Sequence, residues 1–158
     1  MVEQYLDAMI QSMDEKEVCL KTLLAMTAEQ EQALRKEQPD WDSFDRLIDE
    51  KADVIDRLEA LDEGFQAVFD KVRDEMENKK ALYKERIVRL QQQIRTVTDQ
   101  SNALITAEQR NKSLMESKAS MERKRIRQTK ANAKLASNYY NSMNRINYID
   151  PQLMDKKK

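Results

Sequence analysis

The chain has 158 residues, 36 % of them charged, yet its formal net charge is only −1. It contains no His, one Cys, one Gly and two Pro. That excludes an imidazole base, a Cys/His zinc site, a glycine-rich phosphate loop and an internal disulfide framework.

The length is that of one domain, and Glu, Lys, Leu, Ala, Gln, Arg and Met dominate, as in long exposed helices. The start, Met1 to Asp7, is acidic with no apolar run behind it, unlike a signal peptide. No apolar stretch approaches the roughly 20 residues that span a bilayer. The expected location is the cytoplasm, without membrane insertion. Residues 1–79 hold 22 Asp/Glu and 10 Lys/Arg, a net −12; residues 80–158 hold 7 and 18, a net +11. Opposite halves favour a chain folded back on itself, or a dimer.

A first helix is expected from about Glu3 to Lys36. Leu6, Met13, Leu20 and Leu34 repeat every seven residues, with Thr27 filling one step and Ile10 and Leu24 alongside. Cys19 on this helix reads as a small buried hydrophobe. Pro39 ends the helix. Asp40 is the natural N-cap of the next, with Pro39 and Phe44 in staple positions. The second helix carries Phe44, Leu47, Ile48, Ile55, Leu58 and Leu61 on one face. Asp42, Asp45, Asp49, Asp53 and Asp56 form a solvated acidic stripe opposite; without His they lack the pattern of a di-iron bundle. A bend or second turn is expected within 62–80, near Gly64 or Asn78-Lys79-Lys80. Phe69, Met76, Tyr83, Leu90, Val97 and Leu104 continue a heptad beyond it. A third helix then runs from about Ala81 to Asn138, long enough to overhang the second.

In the overhang, Leu114, Met115, Met121, Ile126 and Leu135 are apolar but widely spaced among Lys, Arg and Ser, a stripe that suits binding a partner's helix. Its basic cluster, Arg123 to Lys134, also raises the prospect of a phosphate backbone, which the acidic remainder of the chain disfavours. After Asn138 the helix frays. Pro151 imposes an extended conformation on Asp150, and Tyr139, Tyr140 and Met143 lie on a weakly structured, sticky tail. The fold expected is all-α: an antiparallel bundle or coiled coil of about three helices over 1–137, the last overhanging, with a flexible tail over 138–158.

Several features together resemble the FlgN family of flagellar type III export chaperones. These are the break Gln38-Pro39-Asp40-Trp41, the acidic segment LIDEKADVIDRLEALDEGF, Glu108-x-x-Asn111-x-x-Leu114 on the long helix, and the tyrosine tail. The tail is longer than the family pattern and lacks the Gly that often follows its tyrosine. The resemblance implies a cytosolic chaperone, not an enzyme and without cofactors. It would hold hook–filament junction proteins before secretion and deliver them to the export gate. Leu104, Asn111, Leu114 and Met115 match the cargo-helix pattern, and Met121, Ile126 and Leu135 extend it. Tyr139 or Tyr140, with Met143 nearby, would meet the gate. The alternative is a structural coiled coil that dimerises or scaffolds. No nucleic acid or metal is expected as a ligand, and a homodimer stays open.

Overall fold

The computed structural model describes residues 1–121, 134, 135, 137 and 138. Three helices account for the described fold: α1 (Val2–Arg35), α2 (Trp41–Asn78) and α3 (Lys84–Ser120). At 1.5 Å per residue each is about 50 to 57 Å long. There is no strand among the described residues, as expected of a sequence so poor in Gly, Pro and β-branched runs.

The first link is built as its residues dictate. The Asp40 carboxylate accepts a hydrogen bond from the Ser43 backbone N–H (3.1 Å) and another from the Ser43 hydroxyl (2.7 Å). Both favour the ionised form and hold Asp40 below the ordinary carboxylate value, the Ser43 hydroxyl contributing most. The Asp40 N–H donates back to the Ala33 carbonyl near the end of α1, so the cap also closes the link. The second link is the turn from Lys79 to Tyr83. The Lys79 N–H donates to the Glu75 carbonyl and the Leu82 N–H to the Lys79 carbonyl. α2 runs unbroken through Gly64, which has an ordinary helical φ. The second turn therefore begins at the far end of the expected interval, 62–80, and runs past it to Tyr83.

Cross-helix partners fix the directions. Ser12 pairs with Leu61, Lys16 with Asp62 and Gln30 with Lys51, so α1 and α2 are antiparallel. Asp7 pairs with Arg86, Asp14 with Gln93 and Thr27 with Glu108, so α1 and α3 run parallel. The acidic and basic halves do meet within one chain, chiefly where α3 lies alongside α1. α1 packs closely against both neighbours, whereas no Cα atom of α2 comes within 8 Å of one in α3. Close-packed helix axes are 8–10 Å apart, so the α2–α3 side of the bundle is the open one.

Each helix buries two seven-residue series. On α1, Leu6, Met13, Leu20, Thr27 and Leu34 are buried as expected, beside a second series of Val2, Met9, Lys16, Leu23 and Gln30. On α3, Leu90, Val97, Leu104 and Asn111 run beside Ile94, Ser101, Glu108 and Met115. α2 adds Phe44, Lys51, Leu58, Phe65 and Val72. Most of these form one apolar cluster. A smaller cluster at the other end gathers Leu34, Trp41, Phe44, Met115 and Ala119, with Ile48 and Leu114 packed against it. There Trp41 meets Phe44 edge-on, with centroids 6.0 Å apart.

Instead of starting at Ala81, α3 begins at Lys84, and its continuous described run ends at Ser120, with Met121 in a turn. Continued straight, it would carry Leu135 about 20 Å beyond Ser120. Leu135 and Asn138, both helical, lie instead beside residues 44–59 of α2 and 108–115 of α3. A projecting helix with so sparse an apolar stripe would have nothing to bury. Ile126, Tyr139, Tyr140 and Met143, and the expected tail after Asn138, lie outside the described residues. No described helix is long and apolar enough to cross a membrane.

Candidate functional site

Where α2 and α3 stand apart, a hollow of about 180 Å³ opens between them. Phe44, Ile48, Ala52 and Ile55 form the α2 wall and Asn111, Lys112 and Met115 the α3 wall, with Gln30 of α1 at the base. Asp49, Asp56 and Glu59 edge the α2 side. Asp49 and Asp56 are exposed, so that rim is acidic over an apolar interior. A smaller hollow lies on the same side toward the second turn, between Met76 and Ile87, Leu90 and Ile94. An amphipathic helix is the element that fills such a cleft: its apolar stripe covers the interior and basic flanks meet the rim.

Beneath the main hollow lies a buried polar layer drawn from all three helices. Lys51 of α2 pairs with Glu108 of α3, both almost wholly enclosed. The Lys51 ammonium also donates to the Gln30 side-chain oxygen (2.6 Å), and the Gln30 amide donates to the Phe44 carbonyl (3.1 Å). Thr27 donates to Glu108 (2.7 Å), and the Asn111 amide donates to the Thr27 carbonyl (2.8 Å). Burial pushes the Lys51 ammonium below its ordinary 10.5, opposed by the charge and hydrogen bond of Glu108. Further along, Lys16 and Asp62 make a second buried pair between α1 and α2, at 2.6 Å. Such layers specify register, because shifting one helix by a turn would strand a buried charge.

The structure brings some of the expected cargo residues together and separates others. Met115, Asn111 and Leu135 converge on the hollow. Leu114 is half-buried in the adjoining apolar cluster. Leu104 is wholly enclosed in the main core. Met121 is 78 % exposed at the end of α3. Glu108 and Asn111 of the Glu-x-x-Asn-x-x-Leu segment face inward and hold the polar layer. The α2 wall, and Lys51 and Gln30 beneath it, were not anticipated. Extending the α1 heptad through its polar positions, Lys16 and Gln30, would have exposed the second buried series. Cys19 is half-buried, and burial raises its thiol above the ordinary value. The described residues contain no cluster of three or more acids or thiols placed to hold a metal.

A family model described as FlgN protein matches residues 1–145. No curated protein and no solved structure matches the chain.

Proposed function

Because the chain belongs to the FlgN family, which comprises flagellar export chaperones rather than enzymes, we propose that it holds hook–filament junction proteins in the cytoplasm and passes them to the export gate. The observation that carries this reading is the open α2–α3 side, an apolar cleft edged by acids of α2. A terminal helix of the cargo lies in the cleft, against Ile48, Ala52 and Ile55 on one side and Met115 on the other. Burying its apolar stripe there removes it from water and from self-assembly. Leu114 and Met121, at the end of α3, extend that surface, and Ile126 is a further cargo contact. Tyr139, Tyr140 and Met143 are the segment offered to the gate. Chaperoning is favoured over a scaffolding rod because the seven-residue series are filled by helices of the same chain.

Co-purification of the tagged chain with junction proteins at moderate salt tests the reading. The wild type is expected to retain one of them. Ala52→Arg, an exposed helical position in the cleft, is expected to lose it while keeping its helical circular dichroism. Truncation after Asn138 is expected to retain cargo and lose the gate. Retention by Ala52→Arg would place cargo elsewhere, and no retention by the wild type would overturn the chaperone reading.

A further inference from the structure

We propose that the cleft between α2 and α3 is occupied, in the cargo-free protein, by the chain's own segment around Leu135, so that another helix enters only by displacing it. The inference deepens the chaperone reading and shares its cleft, but it concerns the chain alone.

Three observations carry it. Leu135 and Asn138 are helical and line the cleft together with Ile48, Ile55 and Met115. They sit where a partner's helix would sit. The seat is partial: Leu135 keeps 43 % of its surface exposed, so the segment caps the cleft without filling it and leaves room for a better-fitting helix. Charge agrees as well. The sequence that leads to Leu135, residues 122–134, carries six Lys/Arg and one Glu, opposite in sign to the cleft rim of Asp49, Asp56 and Glu59. Met121 and Leu135 are linked by thirteen residues, ample to reach back about 10 to 20 Å along α3.

A tethered occupant competes at high effective concentration, so even a weak intramolecular fit screens the cleft from weak ligands. The apparent affinity for any incoming helix falls by the fraction of molecules in which the cleft is open. Leu135 thereby acts as a placeholder and not as a wall of the cargo site. The two roles predict opposite effects of the same substitution.

The test uses the full chain and needs no cargo. A fluorescein-labelled peptide of residues 122–140 is titrated into the wild type and into Leu135→Asp, with fluorescence anisotropy as the readout. The peptide is expected to bind Leu135→Asp at least about tenfold more tightly than the wild type. Adding Ala52→Arg to Leu135→Asp is expected to abolish that binding. Side-chain methyl signals of Ile48, Ile55 and Met115 are expected to shift between the wild type and Leu135→Asp. Equal peptide affinity for the two chains, or unmoved methyl signals, would overturn the proposal. Since Leu135 is partly exposed, the variant should fold. Should its circular dichroism nevertheless fall, Leu135→Ser takes its place and the same comparison decides. Cargo capture plays no part in this assay, so failure of the chaperone reading would show separately, in the co-purification.

Discussion

At the scale of single residues, the polar layer under the cleft is the least replaceable part of the molecule. Lys51 and Glu108 come from helices whose backbones stay apart, and their side chains bridge the gap. Glu108→Leu leaves the Lys51 charge enclosed without its carboxylate, at an expected cost of about 3 to 5 kcal/mol in denaturant unfolding. The double variant Lys51→Met/Glu108→Leu replaces both charges by apolar groups of similar size. It is expected to recover most of that loss. If the double variant were as unstable as the single one, the pair would not be acting as a unit. A pH dependence follows from the same lysine. Its ammonium loses protons more readily folded than unfolded. Between its lowered folded value and 10.5 the unfolded chain therefore binds more protons, and stability rises with pH. Measured against the double variant, which lacks this lysine, the wild type is expected to gain stability over that interval.

At the scale of elements, the first link was legible to the residue and the second only as one of two candidate places. Pro39 stops a helix and Asp40 starts one for reasons confined to a few side chains, and the structure has the cap in place. Around Gly64 local chemistry misleads. Glycine weakens a helix without ending one, and here packing on both sides carries α2 straight through. A Cβ at Gly64 would meet nothing within 4 Å and the backbone needs no positive φ. Gly64→Ala is therefore expected to raise unfolding free energy by about 0.5 to 1 kcal/mol, and a loss on urea denaturation would mean that α2 bends there. The Lys79–Tyr83 turn contains neither Gly nor Pro, and only the broken apolar stripe and the change of charge at Asn78-Lys79-Lys80 pointed to it. The end of α3 was missed for another reason: whether a weakly amphipathic helix projects or stops depends on what lies beside it, which periodicity does not report. The same limit hid half of the cleft. Met115 and Asn111 were visible as a pattern on one helix, but pairing them with Ile48 and Ala52 required knowing that α2 and α3 stand apart.

At the scale of the whole molecule, the opposed charges of the two halves foretold a chain closing on itself, though not that α3 would lie parallel to α1. The ion pairs along that seam, Asp7–Arg86, Asp14–Arg89 and Glu31–Arg110, are solvent-exposed, and exposed pairs hold little. α1 and α2 are both acidic and repel each other along their length, which salt relieves. The two effects oppose each other. Raising ionic strength from about 0.05 to about 0.5 M is expected to move the melting temperature by no more than a few degrees. A collapse in salt would show that charge, and not the apolar core, holds the halves together.

The parallel course of α1 and α3 also decides how the protein can be handled. Met1 and the Lys79–Tyr83 turn share one end of the bundle, while the Lys36–Asp40 link, the cleft and the close of α3 occupy the other half. A fluorophore, affinity handle or surface anchor fixed at Met1 stands tens of ångströms from the cleft, with most of a helix's length between. The same holds for an inserted loop at Lys80. Immobilisation by the amino terminus would present the cleft outward, whereas attachment near Asn138 would bury it against the support.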